Sequence, residues 1–445
     1  MLEIAGRRIV VVGLGASGVA AARLCLRRGA RVVANDAKPY EALSEAARSL
    51  GGLGAEIVCG GHRDARLSDA DVIVVSPGVP PIPEVTTAEA SGVPVVGEVE
   101  LATQLLVHRA PVVAIGGTNG KSTTTSLVGA LLAAQGRRTF VGGNLGEPLA
   151  DHADEVFDAV VLEVSSFQLE HVRSFQPRVS ALLNITDDHL DRYSGMEDYA
   201  NTKGNAFARQ TEQDWAVIPV GDQVCARQAR RGCARRLTFG PGGDVDVARD
   251  AVVDRDHRFL RSDIALEGDH NANNVAAAIA CVRPFELDAS LIAGVLREFK
   301  GLAHRTAFVA DVRGVRFYDD SKGTNVGASV AALAGMREPR VVLIAGGRDK
   351  GGSYGPLADA LARKGRAVIV LGEAADAIAC AVGHLVQVRR AGTMDEAVRL
   401  AAAAAANGDA VLLSPACSSY DMFRDYKHRG DEFVRAVRSL AAEAS

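Results

Sequence analysis

Apolar residues along the chain are concentrated in short continuous runs that stop abruptly at glycine-rich turns. Three such segments are RRIVVVGLGASG (7–18), APVVAIGGTNGKS (110–122) and PRVVLIAGGRDKGG (339–352). A short, β-branched and continuously apolar run is typical of a strand buried on both faces of a parallel sheet, and a helical pattern follows each turn. Each segment is therefore predicted to be a β-loop-α unit.

The spacing of these units predicts three α/β domains of unequal size. A chain of 445 residues is also too long for one core, since domains run to roughly 100 to 200 residues. A Gly/Pro-rich passage (76–85) precedes the first boundary, and the second falls where FKGLAHRT (299–306) gives way to a new strand pattern. The predicted domains are a Rossmann-like N-terminal domain (1–99), a central P-loop ATPase-like domain with a mainly parallel sheet (100–301) and a C-terminal Rossmann-like α/β domain (302–445).

Composition narrows the classes of function. Hydrophobic residues make up 48% and charged residues 23%, and the formal charge of -4 gives no basic excess for a nucleic-acid binder. No apolar run approaches the ~18 to 20 residues of a membrane span. Arg7 and Arg8 before an apolar run imitate a signal peptide, but the glycines and Arg23 argue against one. Seven cysteines without a C-x-x-C pair indicate reduced thiols and a cytosolic protein.

The segment IGGTNGKST (115–123) indicates phosphate binding. In a phosphate loop, glycines let backbone N–H groups converge on phosphate oxygens, a lysine balances their charge and a hydroxyl ligates magnesium. These residue types are supplied here by Gly117, Gly120, Lys121 and Ser122. Ile115 stands where the usual motif has its first glycine. The strand before the loop and the helix after it nevertheless favour a nucleotide site over an ordinary glycine turn.

Acidic residues end two further apolar runs. FDAVVLEVSSFQLE (157–170) has Glu163 at the end of its run, and VSALLNITDDHLDRY (179–193) ends in an acidic cluster. The cluster consists of Asp187, Asp188, His189 and Asp191. Such groups can hold a hard cation or orient a reacting group. The cluster alone is more typical of a solvated loop, but three strands that end in glycine, acid and histidine favour a magnesium nucleotide site.

Two further motifs leave alternatives open. GDHNANNVAAAIA (268–280) places three polar residues, His270, Asn271 and Asn274, at a helix start, where asparagine serves equally for N-capping or for recognition of a base. In the first domain, the G-x-G-x-x-G pattern of 13–18 follows a strand, and Asp36 ends the next strand at the distance of a ribose-binding acid. From the residues alone this pattern favours NAD.

Taken in order, the motifs resemble those of the Mur ligase family of peptidoglycan synthesis. The resembling segments are GGTNGKSTTT (116–125), GGNLG (142–146), LEVSSFQLE (162–170), NITDDHLDRY (184–193), GDHNANN (268–274), GLAHR (301–305), DDSKGTN (319–325) and LSPACSSYDMF (413–423). They span all three predicted domains, and the ordered set is far more specific than any one motif. LSPACSSYDMF favours the branch of the family that adds glutamate.

The resemblance implies an ATP-dependent, ADP-forming acid–amino-acid ligase. The carboxylate of UDP-N-acetylmuramoyl-L-alanine would take the γ-phosphoryl group of ATP, and the amino group of D-glutamate would attack the resulting acyl phosphate to form an amide. Catalysis would consist mostly of positioning and charge stabilisation. ATP and two Mg²⁺ ions are the implied cofactors, and a monomer in the bacterial cytoplasm is the implied form.

The same resemblance implies roles for individual residues. Catalytic or metal-binding roles fall to Lys121, Ser122, Glu163, His189 and Lys203. ATP would contact Gly117, Thr118, Asn119, Gly120, Lys121, Ser122, Thr123, Asn271, Asn274, Arg305 and Asp320. The UDP substrate would contact Gly15, Ala16, Ser17, Asp36, Gly78, Asn144 and Ser165. Glutamate would contact Lys322, Thr324, Lys350, Ser419 and Tyr426.

Lys203 shows what the resemblance adds, because the family pattern implies that it is carbamylated and becomes a carboxylate that supports the metal. From the residues alone it is a helical surface lysine. The sequence departs from the family pattern at Gly116, Ala307 and Tyr426. The alternatives are a sister ligase that adds another amino acid to a UDP-muramyl precursor or glutamate to folate, an NAD-dependent dehydrogenase, and a nucleotide switch without an acceptor.

Overall fold

Three β-sheets follow one another along the chain in the computed structural model, which describes residues 3–188, 192–349 and 353–444. The sheets have five, nine and six strands in these residues, and helices cover them. The expected three-domain α/β fold is therefore confirmed. No helix in the described part of the chain is long and apolar enough to cross a membrane.

The first sheet is wholly parallel, with strand order β3-β2-β1-β4-β5. Its strands are β1 Arg8–Val12, β2 Arg31–Asp36, β3 Glu56–Cys59, β4 Val72–Val75 and β5 Val95–Gly97, and its helices are α1 Ala16–Arg27, α2 Glu45–Arg48, α3 Pro83–Ala90 and α4 Glu98–Leu105. The direction of the strand order reverses between β1 and β4. Ligands of such sheets bind at the carboxyl ends of the strands beside this reversal.

Helix α4 fastens the first domain to the central one through two buried carboxylates. The Oε1 atom of Glu98 accepts a hydrogen bond from the backbone N–H of Ala150 at 2.8 Å, and Glu100 accepts one from the hydroxyl of Ser174 at 2.6 Å. Burial raises the pKa of Glu98 to about 7. The predicted boundary between residues 99 and 100 falls inside this helix. This boundary and the one predicted between residues 301 and 302 both stay predictions.

The second sheet is mixed, with strand order β14-β13-β12-β11-β10-β9-β6-β8-β7. Its strands are β6 Val112–Gly116, β7 Thr139–Gly143, β8 Ala159–Glu163, β9 Val179–Leu182, β10 Trp215–Pro219, β11 Arg235–Gly240, β12 Val245–Val247, β13 Ala251–Asp254 and β14 His257–Leu260. Its helices are α5 Lys121–Ala134, α6 Ser166–Leu169, α7 Met196–Gly204, α8 Gln223–Ala229, α9 Asp269–Val282 and α10 Ala289–Glu298. Among the strand pairs of the described residues, only β12–β13 and β13–β14 are antiparallel, so the expected mainly parallel arrangement is confirmed.

Strand β6 lies between β8 and β9, and all three are parallel and buried. Their carboxyl ends therefore meet at one edge of the sheet. The loop after β6, the acid that ends β8 and the polar loop after β9 emerge side by side there. The small residues of α9 allow it to pack closely on α5, the helix that follows the loop after β6.

The third sheet has strand order β15-β16-β20-β17-β18-β19, and only β15 is antiparallel to its neighbour. Its strands are β15 Ala307–Val312, β16 Val315–Asp319, β17 Val341–Gly346, β18 Gly365–Leu371, β19 Gln387–Arg390 and β20 Ala410–Leu413, and its helices are α11 Val326–Gly335, α12 Gly355–Lys364, α13 Ala375–Val382, α14 Met394–Ala404 and α15 Tyr426–Ala444. The loops after β16, β17 and β20 leave one edge of this sheet, which faces the central domain.

Candidate active site

A cavity of about 1300 Å³ lies between the central and C-terminal domains. Its walls hold most of the residues that the sequence assigns to ATP, the metal or glutamate, and two assigned to the UDP substrate. They are Thr118, Asn119, Gly120, Lys121, Thr123, Asn144, Glu163, Ser165, Lys203, Asn271, Asn274, Arg305, Asp320, Lys322, Thr324, Ser419 and Tyr426. His189 and Lys350, which carry two further predictions, lie outside the described residues.

At two positions the loop after β6 has a backbone conformation that residues with a side chain rarely adopt. Gly117 and Gly120 have φ angles of +136° and +83°. A Cβ atom on Gly120 would lie 2.3 Å from Oδ1 of Asn274, and one on Gly117 would lie 3.1 Å from Cβ of Leu183. The positive φ angles, together with the close approach of α9 and of the loop after β9, favour glycine at both positions.

Gly116 differs from these two glycines. It pairs with Leu182 inside the sheet, and a Cβ atom there would lie 3.4 Å from the carbonyl oxygen of Ala181, an ordinary contact distance. Nothing in the described surroundings requires glycine at this departure from the family pattern.

Hydrogen bonds fix the phosphate loop to the loop after β9. The backbone N–H of Asn119 donates to Oδ1 of Asn184 at 2.8 Å, and the N–H of Thr186 donates to the hydroxyl of Thr118 at 3.1 Å. The ammonium of Lys121 donates to the carbonyl of Thr118 at 2.7 Å, which folds the lysine back over its own loop.

Glu163 is a buried carboxylate, 1% exposed, at the end of β8. Burial alone would raise its pKa, but the charge of Lys121 and the nearby Ser122 hydroxyl and Asn144 amide bring that pKa below its usual value. Its Oε1 atom accepts a hydrogen bond from Asn144 at 2.6 Å, while its buried Oε2 atom has no hydrogen-bond partner in the described residues. Glu163 is therefore an anion with one oxygen available to a ligand.

Lys203 is not a surface residue, so the interpretation from the residues alone is wrong. Its side chain is buried, its Nζ atom donates to the carbonyl of Gly117 at 2.9 Å, and the same atom lies 4.6 Å from the ring centroid of Tyr199. Burial, together with the charge of Lys121, lowers the pKa of Lys203 well below its usual value, against the opposing charges of Asp188 and Glu163. The neutral amine is thereby favoured.

The oxygen atoms beside the phosphate loop suit a hard divalent cation. Glu163 offers its unpartnered Oε2 atom, Ser122 offers a buried hydroxyl, and Asp188 adds a carboxylate on the cavity wall. Mg²⁺ prefers such oxygen ligands. Within 3–188, 192–349 and 353–444, no group of three or more His, Cys, Asp or Glu side chains could hold a metal by itself.

Arg305 reaches the phosphate loop from the start of the C-terminal domain. Its guanidinium donates to the hydroxyl of Ser122 at 2.6 Å. Asp320 secures the adjacent backbone, because it accepts hydrogen bonds from the N–H of Thr306 at 3.1 Å and from the hydroxyl of Ser414 at 2.6 Å. Burial raises the pKa of Asp320 to about 7. Asp320 thus organises the loop that carries Arg305.

The predicted glutamate residues in the described part lie on the cavity wall that the C-terminal domain forms. The ammonium of Lys322 lies 3.8 Å from the ring centroid of Tyr426, a cation–π contact. Burial lowers the pKa of Lys322 to about 8. Thr324 and the buried Ser419 share the same wall. The tyrosine that departs from the family pattern therefore packs directly on the lysine proposed to bind a carboxylate.

Arg429 is a residue that the sequence analysis missed. Its buried guanidinium donates to the hydroxyl and carbonyl of Ser321 at 3.0 and 2.8 Å and to the carbonyl of Cys417 at 3.1 Å. These bonds join the loops that carry Lys322 and Ser419. The signal was its spacing, since Arg429 stands four and eight residues before Phe433 and Val437, both buried, and so lies on the inner face of α15.

The glycine turn of the first domain lies apart from this cavity. Both oxygens of Asp36 accept backbone hydrogen bonds, from Leu14 at 2.8 Å and from Lys38 at 2.9 Å. A Cβ atom on Gly18 would lie 1.9 Å from the carbonyl oxygen of Gly13, so helix α1 can pack on β1 only with glycine there. Gly15, Ala16, Ser17 and Gly78, with Asp36, complete the predicted UDP-binding set on the carboxyl edge of the first sheet.

Family comparisons cover most of the chain. The N-terminal domain of MurD-like Mur ligases matches residues 7–97, the Mur ligase middle domain matches 115–282, and the Mur ligase glutamate ligase domain matches 304–417. The chain is 43% identical to the UDP-N-acetylmuramoylalanine–D-glutamate ligases of Geobacter metallireducens and Syntrophotalea carbinolica, over 99% of this chain and of each relative.

Solved structures share the fold at lower identity. The UDP-N-acetylmuramate-alanine ligase MurC of Thermotoga maritima is 20% identical with a TM-score of 0.61, and covers 97% of this chain and 99% of its own. The MurF ligase of the same organism, solved with ADP, is 17% identical with a TM-score of 0.62, and covers 100% and 97%. At these identities the likeness concerns the fold alone.

Proposed function

The chain belongs to the Mur ligase family, and from that premise we propose that it is a UDP-N-acetylmuramoylalanine–D-glutamate ligase of peptidoglycan synthesis. It joins the carboxylate of UDP-N-acetylmuramoyl-L-alanine to the amino group of D-glutamate at the expense of ATP. The observation that carries the proposal is the single cavity that brings the phosphate loop of the central domain to the polar loops of the C-terminal domain.

The phosphate loop is proposed to hold the triphosphate. Lys121 and the backbone N–H groups at the start of α5 offset phosphate charge, and Arg305 adds a second cation beside Ser122. Asn271 and Asn274 lie on the same cavity wall at the start of α9 and are proposed to face the adenine. The remaining contacts to ATP are proposed to come from Gly117, Thr118, Asn119, Gly120, Thr123 and Asp320.

Mg²⁺ is proposed to bind beside the same loop. One ion would be held by Ser122 and Glu163, and a second would be supported by His189 and by Lys203 in its carbamylated form. The bound ions would offset the charge that develops on the transferred phosphoryl group. The unpartnered Oε2 atom of Glu163 supports the first assignment.

Carbamylation of Lys203 is supported by its environment. The reaction requires a neutral amine, whose nitrogen attacks the carbon of CO₂ and loses a proton to give a carbamate anion. Burial lowers the pKa of Lys203 well below its usual value and so favours that neutral amine. The carbamate would place an anion close to the cation of Lys121, whose charge disfavours the protonated form of the unmodified amine.

The chemistry is proposed to proceed through an acyl phosphate. The substrate carboxylate, held near Asn144 and Ser165, attacks the γ-phosphorus and ADP leaves. The neutral amino group of glutamate attacks the acyl carbon and loses a proton to solvent. The C–O bond to the phosphate then breaks, and the tetrahedral intermediate collapses to amide and inorganic phosphate. Lys322, Thr324, Lys350, Ser419 and Tyr426 are proposed to bind glutamate, because its carboxylates need cations and hydroxyl donors.

The first domain is proposed to bind the UDP portion of the substrate. The glycine turn and the N-terminus of α1 suit a diphosphate, and the region of Asp36 would lie near the uridine. Gly78 follows β4 at the neighbouring strand end. The glycine pattern alone favoured NAD, but a match of residues 7–97 to a Mur ligase domain favours the UDP substrate.

Cellular location and assembly are part of the same proposal. All seven cysteines are free thiols, and four of them are buried, which supports a protein of the bacterial cytoplasm. We propose that it acts as a monomer, since the cavity is formed by two domains of one chain.

A substrate panel tests the proposal. ATP-dependent amide formation from UDP-N-acetylmuramoyl-L-alanine is expected with D-glutamate and not with L-glutamate, measured by chromatography of the UDP product. Activity restricted to a longer muramyl peptide, to another amino acid or to a folate would instead assign the chain to a sister ligase.

A further inference from the structure

Asn325 is the N-cap residue of α11 in the C-terminal domain. Its Oδ1 atom accepts a hydrogen bond from the backbone N–H of Ala328 at 2.8 Å, and the residue is 8% exposed. This cap uses the oxygen of the side-chain amide. The Nδ2 group of the amide is therefore directed away from its own helix.

That Nδ2 group contacts two loops of the central domain. It donates to Oδ1 of Asn119 in the phosphate loop at 3.2 Å and to Oδ2 of Asp188 after β9 at 3.3 Å. Asn119 is itself joined to the loop after β9, since its own amide donates to the hydroxyl of Thr186 at 3.4 Å. One side-chain amide of the C-terminal domain thus contacts both the phosphate loop and the loop after β9.

Asn325 lies in the same loop as two residues that are proposed to bind glutamate. Asn325 directly follows Thr324, and Lys322 lies three residues before it; both are proposed to bind glutamate. Asp188 is close enough to Lys203 for its charge to act on that amine. Asn325 is therefore the point at which the proposed glutamate loop meets the phosphate loop and Asp188.

We propose that Asn325 is a positioning residue that couples glutamate binding to nucleotide binding, an inference that rests on the proposed function. Glutamate bound by the 322–325 loop stabilises the arrangement in which the Nδ2 group contacts Asn119 and Asp188. Nucleotide in the phosphate loop holds Asn119 ready to accept it. Because coupling is reciprocal, each ligand then raises the affinity for the other by the same factor.

The alternative is that Asn325 serves only as a helix cap, and two substitutions separate the roles. Asn325→Ser keeps a good capping oxygen but lacks the amide donor. Asn325→Asp also keeps the cap, but it places a carboxylate against that of Asp188. A residue that only caps would tolerate both changes equally. A matched cap control is Thr393→Ser, because the exposed hydroxyl of Thr393 caps α14 away from the cavity.

The test measures the dissociation constant of a non-hydrolysable ATP analogue with Mg²⁺, with and without saturating D-glutamate, by isothermal titration calorimetry. The unaltered protein and Thr393→Ser should bind the analogue more tightly with glutamate, by about 5-fold or more. In Asn325→Ser this factor should fall close to one, and in Asn325→Asp the analogue should also bind more weakly without glutamate. Thermal midpoints of the serine variant should remain near that of the unaltered protein.

An unchanged factor in Asn325→Ser would overturn the inference, and so would the absence of any glutamate effect in the unaltered protein. Ligation by the unaltered protein is assayed in parallel. If the unaltered protein ligates D-glutamate while Asn325→Ser keeps the full effect of glutamate on the dissociation constant, only the proposed role of Asn325 is wrong. If it ligates neither D-glutamate nor another acceptor, the proposed function is wrong.

Discussion

The glycine turn after β1 and the glycine turn after β6 have the same architecture and different surroundings. Each links a buried parallel strand to the N-terminus of a helix. In the first domain the neighbouring acid, Asp36, is hydrogen-bonded to the turn itself. In the central domain the turn is followed by Lys121, and the neighbouring strand and helix bring Glu163 and Lys203 against it.

The difference shows how chemistry is added to a common fold. A glycine turn at a helix N-terminus suits a phosphate group in either domain. Of the two turns, only the central one has a buried carboxylate, Glu163, beside a phosphate-loop lysine and a second domain across a cavity. The first turn is therefore expected to bind substrate and the central turn to catalyse. Five substitutions test this contrast.

The largest effect is expected from the charged pair at the central turn. Lys121→Ala removes a cation from the phosphates, and Glu163→Gln removes the anion but preserves the shape of the side chain. Each should lower kcat for ligation by about 10³-fold, as for the loss of a group that stabilises developing charge. The loss of kcat is measured from the rate of amide formation. Near-normal turnover in either variant would contradict the roles assigned to Lys121 and Glu163.

Lys203→Ala should have the next largest effect, because it removes the proposed carbamate. We expect a loss of about 10²-fold in kcat, with partial recovery on addition of short carboxylates that occupy the vacated space. Recovery is measured against the same carboxylates added to the unaltered protein. Failure of every carboxylate to restore activity would argue that Lys203 acts as an amine.

Asp36→Asn should have a smaller effect, confined to binding of the UDP substrate. It weakens the hydrogen bonds that hold the first glycine turn, so the KM for UDP-N-acetylmuramoyl-L-alanine should rise by about 10-fold while the KM for ATP stays unchanged. Separate titrations of the two substrates measure both constants. An equal rise in both constants would remove the distinction between the two turns.

Gly116→Ala should have the smallest effect, because an added Cβ atom makes only ordinary contacts. We expect less than about a 2-fold change in kcat/KM. Gly120→Ala is the matched control, since its Cβ atom would meet Asn274 at 2.3 Å and should disrupt nucleotide binding. Similar losses of kcat/KM in the two variants would indicate that Gly116 is needed for more than the space that its missing side chain leaves.

Local patterns in the sequence were sufficient for the fold class and the family. Continuous apolar runs predicted β1, β6 and β17, because a strand buried on both faces is apolar throughout. Motif order then identified the Mur ligase family, which the full-length relatives confirm.

Packing between distant segments could not be predicted in the same way. The burial of Lys203 arises because α7 lies against the phosphate loop 86 residues earlier in the chain. The bridge from Asn325 to Asn119 spans 206 residues. Neither contact leaves a local pattern, and the only signal for Arg429 was its place on the inner face of α15.

The most direct test of the account is the acceptor dependence of ATP hydrolysis by the unaltered protein. ADP and amide product are measured together, with UDP-N-acetylmuramoyl-L-alanine and D-glutamate present singly or in combination. We expect sustained formation of ADP and amide in equal amounts only when both substrates are present. Sustained ADP formation at the same rate without either substrate would contradict it and would instead indicate a nucleotide switch.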